Sequence, residues 1–133
     1  MILGCGADLM EVARFEREAA RRGDDLVEEL FGADELAWCR RRRRVAEGYA
    51  MGYAAKEALF KALGAGKTGR MAWRDVAIAW PADAARPAMT LAGETEALAD
   101  SLGVTAVHLA VAASRAYGVA WVVVTGGRGS ASR

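Results

Sequence analysis

Four residues of this chain are of the types that handle metal ions and phosphates when they converge: Asp8, Lys56, Glu57 and Lys61. Glu57 and Lys61 are four apart, so in a helix they share one face about a turn from each other, where an anion and a cation can lie side by side. A carboxylate from a separate element, such as Asp8, would complete a pair. Two carboxylates are enough for magnesium, which keeps several waters and takes the rest of its shell from substrate phosphate oxygens. Lysine then acts as a compact point charge for the remaining phosphate charge. The same spacing also describes a plain solvated helix pair worth ~0.2 to 0.5 kcal/mol, with Asp8 serving only to cap a helix. Spacing alone leaves both readings open.

Positioning these groups falls to a strand and a long helix. Ile2 to Cys5 reads as a short buried strand, and the Gly4-Cys5-Gly6-Ala7-Asp8 segment that ends it leaves Asp8 projecting at the strand end. Val12, Phe15, Ala19 and Ala20 recur at helical spacing until Gly23 offers a stop. Asp24 or Asp25 can cap a second short helix through Leu30, and Asp34 a third that carries Leu36, Trp38 and an unbroken arginine run, Arg40 to Arg44. From Val45 to Leu63 a proline-free stretch rich in Ala, Met, Leu, Tyr and Phe predicts a central helix, with Gly64 at its C-cap. Its interior glycines, Gly48 and Gly52, each cost ~1 kcal/mol relative to Ala, so packing or a closely approaching neighbour must hold it.

Beyond a Gly64 to Gly69 loop the pattern changes. Val76 to Trp80, Ala88 to Leu91, Ala106 to Ala112 and Val119 to Thr125 read as strands, interrupted by a helix from Glu94 to Leu102 that Gly103 closes. The expected fold class is α+β, helices packed on a mainly antiparallel sheet. The expected organisation is one domain over residues 1–125, with a Gly-, Ser- and Arg-rich tail, 126–133, expected to be disordered.

A chain of 133 residues is one domain's worth, long enough to bury a core without staples, and 26% charged against 53% hydrophobic residues suits a globular protein. No membrane helix or signal peptide is indicated, so a cytoplasmic location is expected. Cys5, Cys39 and the single His108 form no zinc-type cluster. The net charge of +1 argues against a nucleic-acid-binding domain. The Gly64 to Gly69 loop lacks the spacing of a phosphate-binding P-loop and follows a helix rather than a strand.

Two stretches carry a resemblance. Ile2 to Val12 followed by Arg14-Phe15 resembles the GxD opening of holo-acyl-carrier-protein synthases, and Tyr53-Ala54-Ala55-Lys56-Glu57-Ala58-Leu59-Phe60-Lys61-Ala62-Leu63-Gly64 resembles their second motif, an aromatic residue followed by KEAxxKA. The likeness extends over residues 2 to 125. It implies the 4'-phosphopantetheinyl transferase fold and a transfer of the phosphopantetheine arm of coenzyme A to a carrier-protein serine, releasing 3',5'-ADP. By the same resemblance Asp8 and Glu57 are the expected Mg2+ ligands and Lys61 the contact to the coenzyme A phosphates. His108 stands where the family approaches the nucleotide end of coenzyme A, and Arg44, in the basic run before the central helix, is a candidate for its 3'-phosphate. Family members are homotrimers with the active site between subunits.

The partner is also partly legible from charge. Arg14, Arg17 and Arg21 make a cationic helix face complementary to an acidic partner helix, and the resemblance makes that face the docking surface for an acyl carrier protein. The chain departs from the family pattern at Gly52, where an arginine that helps bind coenzyme A is common, and at Ala110, Ala112 and Ala113, where polar residues and often a second histidine stand. A divergent transferase serving a specialised, for example polyketide-type, carrier accounts for these changes. The alternative is a catalytically weak carrier-binding module. Retention of Asp8, Glu57 and Lys61 together favours the transferase.

Overall fold

The computed structural model describes residues 1–82 and 86–127. Its elements are β1 (Ile2–Glu11), α1 (Val12–Arg22), α2 (Asp24–Leu30), α3 (Ala33–Arg40), α4 (Val45–Ala62), a 3-10 turn (Trp73–Asp75), β2 (Val76–Ala79), β3 (Ala88–Leu91), α5 (Gly93–Ser101), β4 (Ala106–Ala113) and β5 (Tyr117–Thr125). This is the expected α+β architecture, with every strand pair antiparallel. The sheet differs from expectation in being two: β1-β5-β4 and a separate β2-β3 hairpin. The first strand joins the main sheet as an edge rather than standing apart from it.

β1 is also longer than the hydrophobic run predicted. It pairs with β5 from Ile2↔Thr125 to Glu11↔Tyr117, so Asp8 lies inside the ladder opposite Ala120, not beyond the strand's end. The ladder carries the strand through residues whose own β preference is weak. Strand alternation then sorts its side chains: Gly4, Gly6, Asp8 and Met10 share one face, and Cys5, Ala7 and Leu9 the other. Asp8 therefore does not cap α1, whose N-cap is Glu11 without a side-chain bond.

The central helix lies on that first face with almost no spacer. A Cβ on Gly4 would sit 2.0 Å from the carbonyl oxygen of Ala62, one on Gly6 2.2 Å from that of Ala58, and one on Gly118 2.6 Å from the Met51 amide nitrogen. The helix answers with its small residues Ala54, Ala55, Ala58 and Ala62, all buried. The interior glycines of α4 face the helices on its other side. At Gly48 a Cβ would meet Arg42 and Cys39, and at Gly52 it would lie 2.7 Å from the Phe31 ring.

Two cap assignments change. α3 starts from Gly32, and the carboxylate that closes its first turn is Glu35, which accepts from the Gly32 amide at 2.8 Å, not Asp34. Gly23 precedes α2 at φ 66°, in place of an aspartate cap. The arginine run also divides, with Arg40 ending α3 and Arg44 serving as the N-cap of α4. The expected tail falls on residues 128–133, outside the described residues. Gly126 itself exchanges two backbone bonds of 3.0 Å with Met1, extending the β1-β5 pairing.

Glu35 does more than cap. It reaches the fully buried Lys56, whose ammonium donates to Glu35 at 3.0 Å and to the carbonyls of Leu30 at 2.6 Å and Trp73 at 3.2 Å, with the Phe31 ring 5.0 Å away. The other Glu35 oxygen accepts from the Ile78 amide at 3.0 Å. One ion pair thus ties α4 to α2, α3, the 3-10 turn and β2. Removing one partner leaves a buried uncompensated charge, which costs about 3–5 kcal/mol. Urea unfolding should show Glu35→Ala destabilised by about that amount, and the charge-free Glu35→Gln, Lys56→Met double variant should recover a large part of the loss.

Candidate functional site

Tyr53, Glu57 and Lys61 follow one another at intervals of four along α4 and so form a single row down the helix. The row runs beside Asp8 because Asp8 shares the face of β1 on which α4 lies. Lys61 does not pair with Glu57 as a solvated helix pair would. Its ammonium donates to Asp8 Oδ1 at 2.8 Å and to the Ala7 carbonyl at 3.1 Å. That bond, and next the charge of Asp8, hold the Lys61 pKa above its ordinary value.

Glu57 is half-buried and has the opposite surroundings. Burial first, and the nearby charge of Asp8 second, raise its carboxyl pKa, while the Tyr53 hydroxyl and Lys61 pull the other way. Tyr53 is itself pushed up to about 12, by burial and then by Glu57. The site thus holds two carboxylates close enough to repel, one bound by lysine and one under-neutralised. Among the described residues no cluster of three or more His, Cys, Asp or Glu side chains could hold a metal, so any cation here would have two protein ligands and would complete its shell from water and substrate. This is the donor set that magnesium accepts.

Lys56, adjacent in the motif, is absent from this site. It points the other way into the Glu35 pair, and burial lowers its pKa against the pull of Glu35. Tyr53 and Glu35 are the residues that sequence reasoning passed over. Tyr53 stood only as the motif's aromatic, although its place four residues before Glu57 is a readable signal. Glu35 occupies the third position of a helix after Gly32, where a carboxylate closes a cap.

The remaining expected site residues lie around this pair at different distances. Arg14 is exposed on α1 and lines, with Met10, Phe15, Tyr53 and Trp73, a cavity of about 260 Å³ beside the carboxylates. Arg17 and Arg21 continue along α1, where Arg21 is already paired with Glu18 at 2.7 Å. Arg44 lies thirteen residues before Glu57, about 20 Å along the helix. It pairs with Glu47 at 3.4 Å and lines a cavity of about 540 Å³ with Arg42, Arg43 and Arg115. His108 is on the opposite face of the sheet from Asp8, its Nε2 3.0 Å from Thr125 Oγ1. Within one chain, therefore, Asp8, Glu57 and Lys61 converge while Arg44 and His108 stand apart from them.

An antiparallel sheet crossed by one helix, with a strand carboxylate meeting a Glu-Lys row on that helix, is the arrangement of a defined group of transferases. The chain belongs to the 4'-phosphopantetheinyl transferase superfamily, whose sequence profile matches residues 4–120. The relatives it resembles are holo-[acyl-carrier-protein] synthases: that of Alkalilimnicola ehrlichii is 39% identical over 125 residues, covering 93% of this chain and 97% of the relative, and that of Desulforudis audaxviator 39% over 126 residues, covering 95% of each. Among solved structures, the holo-[acyl-carrier-protein] synthase of Neisseria meningitidis superposes with a TM-score of 0.84 at 25% identity, covering 94% of this chain and 99% of that one. The Bacillus anthracis enzyme, in complex with CoA (3',5'-ADP), superposes at 0.76 with 26% identity, covering 96% and 99%.

The electrostatics of Glu57 have a measurable sign. Its folded pKa is above the unfolded value, so the folded state binds more protons in the window between them and stability falls as pH rises through it. Glu57→Gln removes that loss. Thermal melts in chelator should show the variant more stable than wild type at neutral pH, the difference vanishing below the ordinary glutamate pKa of about 4.3.

Proposed function

We propose that this chain transfers the 4'-phosphopantetheine arm of coenzyme A to a serine hydroxyl of an apo acyl carrier protein, with Mg2+ and with release of 3',5'-ADP. The observation that carries the reading is the Asp8 and Glu57 pair with Lys61 bonded across it. These two carboxylates would hold the magnesium ion, and their mutual repulsion is the kind of strain a divalent cation relieves. A bound Mg2+ supplies charge neutralisation to the diphosphate oxygens.

The protein's own groups account for the rest. Lys61, mobile enough to be half exposed, can exchange Asp8 for a phosphate oxygen and offset charge that the carboxylate pair does not reach. The serine oxygen attacks the phosphorus nearer the pantetheine arm, the bond to the bridging oxygen breaks, and that oxygen leaves with its electron pair as part of 3',5'-ADP. The serine proton passes to Glu57 or to a water it holds. Positioning and charge stabilisation suffice for this chemistry, as in other phosphoryl transfers. The reaction needs no covalent enzyme intermediate.

Arg14, Arg17 and Arg21 are read as the docking face for the carrier's acidic helix, with Arg14 at the edge of the site. Arg44 and His108 are read as nucleotide contacts, which calls for a neighbouring subunit because one chain holds them apart from the carboxylates. The sheet face away from α4 supports self-association. Leu9 is 58% and Trp121 51% exposed there, beside Val119, Val123 and the alanines of β4. A homotrimer closed through this face is the assembly proposed. No described helix is long and apolar enough to cross a membrane, and a cytoplasmic enzyme, with residues 1–125 as one catalytic domain, is the reading adopted. Phe31 filling the space at Gly52, and the alanines of β4, support a reshaped coenzyme site serving a specialised, polyketide-type carrier.

Intact-mass analysis of apo carrier proteins incubated with the protein, coenzyme A and Mg2+ should show one phosphopantetheine added per carrier. Asp8→Ala or Glu57→Ala should abolish the gain, and Lys61→Ala should slow it by about 10²-fold or more, the scale of losing one charge-stabilising group. No gain on any carrier by the folded protein would leave a carrier-binding module as the function. Trp121→Glu should convert the assembly to monomers in analytical ultracentrifugation, and an unchanged sedimentation coefficient would exclude this face as the interface.

A further inference from the structure

The two carboxylates of the site are not held alike. Asp8 is fixed by a short bond to Lys61, whereas Glu57 forms no ion pair among the described residues and faces the phenol of Tyr53, one turn earlier on α4. The Tyr53 ring is itself fixed. It packs edge-on against Phe15 at 6.5 Å and against Trp73 at 5.4 Å between ring centroids, which ties it to α1 and to the 3-10 turn after α4. Its hydroxyl is the polar tip of an otherwise apolar group, and such a tip seeks an acceptor when partly buried. The acceptor beside it is the Glu57 carboxylate, with Asp8 and Arg14 also close enough to act on it.

We propose that Tyr53 is a positioning residue for the metal pair: its hydroxyl, held by the packed ring, orients the Glu57 carboxylate toward Asp8. This rests on the metal-dependent reading given above and adds to it a residue that touches neither the metal nor the reacting atoms. The physical reason is that a glutamate has three side-chain torsions to fix. A donor anchored on the same helix removes part of that freedom before a cation arrives, so less ordering remains to be done on binding. A phenylalanine here would pack as well and orient nothing.

Tyr53→Phe isolates the hydroxyl, since the ring contacts to Phe15 and Trp73 remain. The readout is Mn2+ binding to the coenzyme-free protein, followed by electron paramagnetic resonance, alongside the Mg2+ concentration that gives half the maximal transfer rate. Tyr53→Phe is expected to melt within about 2 °C of wild type, to bind Mn2+ about 3- to 10-fold more weakly, and to need Mg2+ raised by a similar factor, with KM for the carrier protein unchanged. Tyr53→Ala, which also loses the ring, should in addition lower the melting temperature. Unchanged Mn2+ binding and Mg2+ dependence in Tyr53→Phe would overturn the assignment while leaving the transferase intact, as would a change confined to the carrier KM. A wild-type protein that binds no Mn2+ and transfers nothing would overturn the metal site itself and Tyr53 with it.

Discussion

The contact on which the rest depends is that of α4 with the sheet. Gly4 and Gly6 in β1 and Gly118 in β5 leave no side chain between strand and helix, and the alanines of α4 complete a seam in which backbone nearly touches backbone. An aspartate has a short reach, and Asp8 stands in the same row as those glycines. Only because the helix is this close can a one-carbon side chain on the strand meet a lysine on the helix. The site is therefore a product of what is missing from the sheet's inner face as much as of the charged residues themselves. A methyl group at Gly6 would act on catalysis through distance, without altering any reacting atom.

Within the helix, adjacent residues do unlike work. Lys56 and Glu57 differ by about 100° around the axis, which is enough to send one ammonium into the interior and one carboxylate into the cleft. Burying Lys56 is expensive in itself, since charge taken from water is repaid only when the geometry and hydrogen bonding are complete. Here they are: two carbonyls, a carboxylate and an aromatic face surround it. What the arrangement gains is a fixed rotation of α4. A helix seated on glycine and alanine offers few ridges to stop it turning, and a polar peg on the far side supplies that stop.

Much of this was readable in the residues. The end of α1 at Gly23, the extent of α4 and its stop at Gly64, and the order of the later strands followed from periodicity and glycine placement, and the two motifs pointed to Asp8, Glu57 and Lys61. What escaped had physical reasons. β1 continues past Cys5 because β5 pairs with it, and cross-strand pairing leaves no mark in a single strand's composition. Glu35 looked like any helix-start carboxylate because its partner Lys56 is distant in sequence, and long-range ion pairs have no local spacing. The α3 cap moved from Asp34 to Glu35 for the same reason: a carboxylate with three uses outcompetes one with a single use. Tyr53 passed as a packing residue because its ring does pack, and only the hydroxyl's surroundings separate it from phenylalanine.

Gly52 and Phe31 carry an implication for the lineage of this chain. The ring edge sits where the first side-chain atom of any other residue at position 52 would have to go, and the ring is itself 2% exposed, stacked on Tyr49 and beneath Lys56. An arginine at 52 and a phenylalanine so placed at 31 exclude each other. A single codon change at 52 cannot by itself recover the coenzyme contact common among the proteins it resembles, because the intermediate would have to expel an aromatic that braces a buried charge. The two positions form a one-way step, and natural variation in this lineage should explore other cations around the coenzyme before it returns to that one.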